Sequence, residues 1–482
     1  MRYSLALLFV FIGATPTIPL CFSADPPVTI SKRSARHRSV LIRDVPHIRQ
    51  KPDFCGEACA AMFLQRLGYR HDQDAVFDFA GLSSLEGRGC HTPELNRALL
   101  AIGFETGIVW NKVESRKANA QLKQLWNSVH ADLAQDIPSI VCMRYDERPN
   151  TTEHFRLILG YDSDTDEVIY HEPAERDGAY RRMPHDTFLS LWPLKYKLDQ
   201  WTVVRMKLKP DQIKRPLSTS TRTSADYAQH IRKLKDRIPN DDFHIVVEKP
   251  FVVIGDEPAE QVRRRASGTI RWAVTKLKKD YFTKDPDQII DIWLFKDKTS
   301  YNRHVEALFG EAPGTPYGYY SPTHRALVMN ISTGGGTLVH EIVHPFIAAN
   351  FPDCPAWFNE GLASLYEQCS EVNDRIHGHT NWRLTGLQRA IRANHLSTFD
   401  TMCGTSTRDF YHDSRGTNYA QARYLCYYLQ EEQKLREFYR SFRKNVADDP
   451  TGLATLRDVL GEPDLRAFQK RWSGYVMKLT YN

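Results

Sequence analysis

The sequence predicts an α+β protein of two domains, and three observations lead there. The chain has 482 residues, 41% hydrophobic and 25% charged, an ordinary globular balance long enough for two or three separate cores. Both halves combine β-prone runs with helical segments. Between them, Leu208 to Asp226 (LKPDQIKRPLSTSTRTSAD) is polar, lacks apolar periodicity and reads as a linker. The expected organisation is 1–24 export signal, 25–42 basic leader, 43–208 first domain, 209–228 linker and 229–482 second domain.

In residues 1–24, Arg2 gives a positive start, Tyr3 to Ala14 a short apolar core, and Ser23 and Ala24 small residues suited to cleavage. The apolar run is too short to span a bilayer, and Cys21 follows Ile-Pro-Leu rather than the small residues of a lipidation box. The mature protein is expected to be exported (periplasmic, cell-surface or extracellular) without stable membrane insertion. Lys32 to Arg43 reads as a solvated leader. The net charge of +6 comes with no basic stripe interleaved with aromatics and no phosphate-cradling loop, which argues against a nucleic-acid partner. Nine cysteines include no C-x-x-C pair; an oxidising compartment permits disulfides among Cys59, Cys90, Cys142, Cys354, Cys369, Cys403 and Cys426 without fixing partners.

In the first domain, Val45 to Gln50 is extended, Lys51 to Phe54 turns, and Cys55 opens a helix that ends at Gly68. A thiol at a helix start feels the positive end of the dipole, which favours the thiolate. Gln50, five residues earlier, can aim its amide at an oxyanion. His154 opens a strand and is the candidate base. A second strand, Glu167 to Tyr170, ends at His171-Glu172-Pro173, and antiparallel pairing of the two would bring Glu172 to the imidazole. Nucleophile, base and orienting carboxylate would then meet. His171 is the alternative orienting group. The bland reading is a helix-start Cys-Gly and a strand-opening histidine with no chemistry.

The second domain opens with a charged helix, Tyr227 to Ile238, then strands His244 to Val247 and Phe251 to Gly255. Glu260 to Phe282 is a helix whose Arg and Lys run reads as a solvated face. Asp291 to Phe295 follows as a strand, Tyr301 to Phe309 as a helix, and Gly314 to Ser321 (GTPYGYYS) as an aromatic loop near the cleft. Arg325 to Ile331 is β-prone. Gly334-Gly335-Gly336 stops it, and Thr337 caps a helix carrying His340-Glu341-Ile342-Val343-His344. Residues four apart share a helix face, so both imidazoles can bind one metal ion, with Glu341 beside them to take a proton from water. Pro352 and Pro355 break the chain, and the next helix supplies Glu360. His, His and Glu with a fourth position open form the catalytic zinc pattern. A chance motif would bury two histidines and two glutamates unpaired, at high cost. His377-Gly378-His379 reads as a surface loop.

These residues carry two resemblances. HEIVH followed by WFNEGLASLYE resembles the gluzincin (peptidase MA-like) zinc metallopeptidases, from about Phe251 to about Tyr428. The resemblance implies His340, His344 and Glu360 as Zn²⁺ ligands, Glu341 as general base and a thermolysin-like core. It also implies a substrate-binding edge strand, for which Arg325 to Ile331 is the candidate, and a Tyr or His from a later helix at the oxyanion. Tyr419 is the first choice there and His412 the second. The aminopeptidase signature G-x-M-E-N is absent. Gln50, Cys55-Gly56, His154 in HFRLILGYD and Glu172-Pro173 resemble the papain-like C39 and C39-like cysteine peptidases, over about Arg43 to Lys207. That family usually has Asp where this chain has Glu172, which changes the geometry, and no exporter or ATPase motif follows.

The sequence therefore points to an exported two-domain peptidase acting on peptide or protein substrates. A papain-like (C39-like) domain would precede a thermolysin-like, zinc-dependent one. The rivals are a first domain that only binds substrate or covers the cleft, and a catalytically silent scaffold.

Overall fold

A computed structural model describes residues 37–216, 222–413 and 416–481. The expected export signal, Cys21 and most of the basic leader lie outside these residues. The chain forms two compact units that do not follow the sequence order. Phe104–Asp211 joins the residues before Gln50, whereas Gln50–Gly103 joins the chain from Gln212 onward.

The first unit is built on a seven-stranded sheet. Its strands are β1 (Val40–Leu41), β3 (Trp110–Glu114), β4 (Ser139–Arg144), β5 (Glu153–Asp162), β6 (Glu167–His171), β7 (Arg181–Pro184) and β8 (Gln200–Lys207). A separate short pair joins β2 (Phe104–Glu105) to β9 (Lys209–Pro210). Main-sheet order is β3-β8-β4-β5-β6-β7, with β1 on β5. The last residues assigned to the leader are thus part of the sheet, Val40 pairing with Tyr161 and Leu41 with Gly160. Strands β5 and β6 run antiparallel, with an irregularity between Ile158 and Gly160. The amphipathic helix Ala118–Leu133 buries Leu122, Trp126, Val129 and Leu133.

In the second unit, helices Cys55–Arg66, Gln73–Ala80 and Thr92–Ile102 join the helix Ser224–Lys235. That last helix starts within the expected linker because Thr223 and Asp226 close a capping box. It is tied to the Cys55 segment by Arg232 Nε to Asp53 Oδ2 (2.8 Å) and Gln229 Nε2 to the Pro52 carbonyl (2.8 Å).

A five-stranded sheet follows, with order β10-β11-β12-β14-β13. Its members are β10 (His244–Glu248), β11 (Phe251–Gly255), β12 (Ile290–Phe295), β13 (Gly318–Ser321) and β14 (Ala326–Asn330). Pairings β11–β12 and β12–β14 are parallel; β13 lies antiparallel on β14. The central strands are largely apolar, Asp291 of β12 and Asn330 of β14 excepted, because both faces are covered. Val253, Ile292, Leu294, Leu327 and Met329 pack with Leu338, Ile342, Val343 and Phe346 of the helix Gly336–Asn350. Val252, Ile254, Trp293 and Val328 pack with Tyr227, Ile231 and Leu234. The expected edge strand is therefore corrected: β14 is interior, and the edges among the described residues are β10 and β13, the latter drawn from the segment read as a loop. The long helix expected over Glu260 to Phe282 is Ala259–Arg265 and Trp272–Asp280 joined by a π-helical Ala266–Arg271. Among the described residues no helix is long and apolar enough to cross a membrane, and no disulfide joins the cysteines.

Candidate active sites

The helix Gly336–Asn350 carries His340, Glu341 and His344, and the helix Ala356–Leu365 carries Glu360. One ligand atom each from His340, His344 and Glu360 lies within 4.8 Å of the others. Nε2 of His340 is 3.3 Å from Glu360 Oε2, and Nε2 of His344 is 3.8 Å from Glu360 Oε1. The start of the first helix lies against the segment that follows the second because Gly336 has no side chain: a Cβ there would lie 1.9 Å from the Glu367 carbonyl oxygen.

Other residues aim these groups. His344 Nδ1 pairs with Asn359 Oδ1 at 3.0 Å, which directs Nε2 into the cluster. His340 Nδ1 is 3.3 Å from Glu367 Oε1, an ion-pair distance without hydrogen-bond alignment. Glu367 is itself gripped by Arg383 at 2.9 and 2.6 Å. Burial pushes the Glu367 carboxyl up, but Arg383 and His340 outweigh it and bring it to about 2. Glu360 ends at about 2 as well, where burial is outweighed by His340, His344 and a hydrogen bond from Tyr411. Glu341 moves the other way: burial raises it, and the charges of His340 and His344, with the nearby Tyr320 backbone N–H on β13, offset this only in part.

The residues fit a divalent cation. Two imidazoles and a carboxylate converge, and Glu360 Oε2 is buried with no hydrogen-bond partner. Among the described residues no other group of three His, Cys, Asp or Glu has this spacing, so the His377–His379 loop does not join a second one.

Tyr411, absent from the sequence-based choices, donates to Glu360 Oε1 at 2.6 Å. Tyr419 stands in the first turn of the helix Thr417–Glu431, its ring against Phe410 (5.3 Å) and Tyr411 (6.2 Å) with Arg383 above it (5.3 Å). Tyr419 feels the charges of Glu360 and Glu341 but makes no hydrogen bond to the cluster. His412 is exposed and pairs its Nδ1 with the Arg408 carbonyl.

In the first unit, β5 opens with Glu153-His154 and β6 ends at His171 with Glu172 next in the chain, so their antiparallel register brings the predicted pair together. His154 Nε2 lies 2.5 Å from Glu172 Oε1, leaving Nδ1 as the nitrogen not engaged by the carboxylate. The other carboxylate oxygen accepts from Arg156 Nε at 2.7 Å, a partner the sequence reading missed. Arg156 also donates to the carbonyls of Arg144 and Tyr145. Burial pushes Glu172 up, and His154 and Arg156 pull it below its ordinary value. Beside it, a Cβ on Gly178 would lie 1.9 Å from the Glu172 carbonyl. His171 is held between the Val45 carbonyl and the Tyr180 N–H, each at 2.9 Å, and does not orient His154.

In the second unit, Cys55 opens its helix as expected. Gln50 Oε1 is buried and accepts no hydrogen bond. Two residues after the cysteine, Glu57 is fully buried and accepts from the Cys90 N–H at 2.7 Å; burial pushes its carboxyl up to about 7.

Residues 42–199 match the model of the Peptidase_C39 like family, and the N-terminal region carries a Peptidase_C39-like domain. Among solved structures, the peptidase domain of Streptococcus ComA, a bi-functional ABC transporter of a quorum-sensing pathway, matches at 18% identity. That match has a TM-score of 0.24 and covers 35% of this chain and 100% of the other. No curated protein matches the chain.

Proposed function

We propose that the protein is an exported peptidase with two chemistries, a zinc-dependent one in the C-terminal region and a thiol-dependent one in the Peptidase_C39-like domain. The observation that carries the first is the convergence of His340, His344 and Glu360 within 4.8 Å, with buried Glu341 alongside. His340, His344 and Glu360 would hold Zn²⁺, which when bound supplies Lewis acidity toward water and a peptide carbonyl. The raised carboxyl of Glu341 suits proton transfer, accepting a proton from the attacking water and passing it to the leaving amine. Strand β13, whose Tyr320 N–H already meets Glu341, is the edge on which a substrate backbone would add as a further strand. Tyr411 supplies an O–H for the developing oxyanion. For the thiol chemistry, the sequence motif shared with the C39-like family nominates Cys55 as nucleophile, His154 as base, Glu172 as its orienting partner and Gln50 as an oxyanion donor.

The test is cleavage of reduced, unfolded casein by the mature full-length chain, with a zinc chelator or a thiol alkylator in parallel. Loss with chelator, and loss in Glu341→Gln with zinc retained, is the expected result for the zinc chemistry. Full activity of Glu341→Gln would sink it. Alkylator-sensitive cleavage that disappears in Cys55→Ser is expected for the thiol chemistry.

A further inference from the structure

On the face of the five-stranded sheet opposite the helix Gly336–Asn350 lies a recess of about 660 Å³, bounded by the helix Ser224–Lys235 and the turn joining β13 to β14. Its wall carries four cationic side chains, Arg222, Lys233, Arg237 and Arg325. Two carboxylates share the wall, and both are engaged. Asp226 accepts from the Thr223 N–H at 2.9 Å, and Asp291 is paired with His230 Nε2 at 2.6 Å. Lys233, Arg237 and Arg325 have no ion-pair partner among the described residues. Like charges gathered in a concave wall repel one another, and an anion entering it relieves that repulsion. The turn is held in an unfavourable shape: Arg325, not a glycine, has φ 52°.

Position narrows the ligand. The recess lies where the edge strand leads. Tyr320 of β13 meets Glu341, and Thr323, three residues on, lines the recess, which is at most about 10 Å of extended chain. Side chains of β13 alternate, Tyr320 packing on the zinc-helix side and Tyr319 on the side of Ile231. A peptide paired with β13 would likewise send alternate side chains toward the recess.

We propose that this recess is a subsite for acidic side chains of a peptide lying along β13, so that the preferred substrates carry Asp or Glu a few residues from the scissile bond. The inference rests on the peptidase reading above and names its substrate class. Charge steering makes the contact salt-sensitive.

The test is fluorescence anisotropy on the full-length Glu341→Gln chain loaded with zinc. The probes are a fluorescein-labelled octapeptide of alternating Gly and Glu and its Gly–Gln counterpart. The expected result is binding of the Glu peptide about 10-fold tighter at low salt, the ratio two retained ion pairs produce. Lys233→Glu with Arg237→Glu should bring it to the Gln level while leaving Gln-peptide binding and the melting temperature unchanged. Equal affinities for the two peptides would overturn the proposal, as would a double variant that still discriminates. Inorganic phosphate binding to the wild type but not to the double variant, with no preference between peptides, would also overturn it in favour of a small-anion site. The readout is binding, so a wild-type chain that cleaves nothing would refute the zinc reading and leave this measurement to stand or fall separately.

Discussion

Glu172 and Arg156 form a buried ion pair behind the candidate base, Arg156 Nε donating to the carboxylate oxygen that His154 does not use. Glutamate has one methylene more than the aspartate usual at this place in C39 peptidases, and Arg156 takes up the added reach by fixing its far oxygen. The guanidinium is fixed in turn by two backbone carbonyls, so the carboxylate cannot rotate without breaking several bonds at once. Arg156→Ala should cost about 3 kcal/mol, because it leaves a buried carboxylate with an uncompensated oxygen. Urea unfolding of wild type and variant measures this, and an unchanged midpoint would show that the pair contributes nothing.

Much of this was legible where chemistry and secondary structure share a period. His340 and His344 lie one helical turn apart, and Glu360 follows after a short break, so local geometry alone gathers the three side chains of the candidate metal site. The His154–Glu172 pair needed only two antiparallel strands. Arg156 was also within reach, since it sits two residues from His154 on the same face of one strand. The edge strand was misplaced although its signal was present: ALVM is continuously apolar, the mark of an interior strand, whereas GYYS is not. Tyr411 was out of reach because it is 51 residues from Glu360, on a five-residue helix whose placement depends on tertiary packing. The union of Gln50–Gly103 with the chain after Gln212 was hidden for the same reason, being made by side chains such as Arg232 and Asp53 that look like ordinary surface charges in sequence.

Acid should destabilise the first unit through His171. Burial, aided by the charge of His47, lowers its folded pKa from 6.5 to about 4 against a smaller opposing contribution from the Val45 carbonyl. The unfolded chain therefore binds a proton that the folded chain refuses. The stability is present above pH 6.5 and is lost as pH falls toward 4, by about 3 kcal/mol in all. His171→Gln can still donate to the Val45 carbonyl and accept from Tyr180, and it does not titrate. Urea midpoints at several pH values should show a shallower acid limb for the variant; parallel limbs would assign the acid loss to other groups.

Asn359 orients His344, a candidate metal ligand, without being one itself. Its Oδ1 holds Nδ1 of His344 and so leaves Nε2 to face Glu360. Asn359→Leu should weaken zinc binding by about 10- to 100-fold, the usual cost of removing such a partner. Competition with a chromogenic chelator reads the affinity directly. Zinc held as tightly as in wild type would mean that packing alone orients the ring.

Tyr411 and Tyr419 can be separated by the same substitution at each. Burial and the neighbouring Glu360 carboxylate both raise the Tyr411 hydroxyl, so it keeps its proton at neutral pH and acts as a donor. Its O–H is already spent on Glu360 Oε1, and a substrate oxyanion arriving at the cluster would compete for it. Tyr419 instead contributes a ring, stacked beneath Arg383 and beside Phe410, and phenylalanine preserves that packing. Tyr411→Phe should therefore lower kcat about 100-fold with little change in KM, the loss typical of one oxyanion donor. Tyr419→Phe should stay within about 3-fold of wild type, as expected when a phenol supplies no transition-state bond. Zinc content measured beside the kinetics separates two roles for Tyr411. Lost turnover with metal retained places its hydroxyl at the transition state, whereas lost metal reduces it to a support for Glu360. The reverse ranking of the two variants would return the oxyanion role to Tyr419 and leave Tyr411 as a structural hydrogen bond.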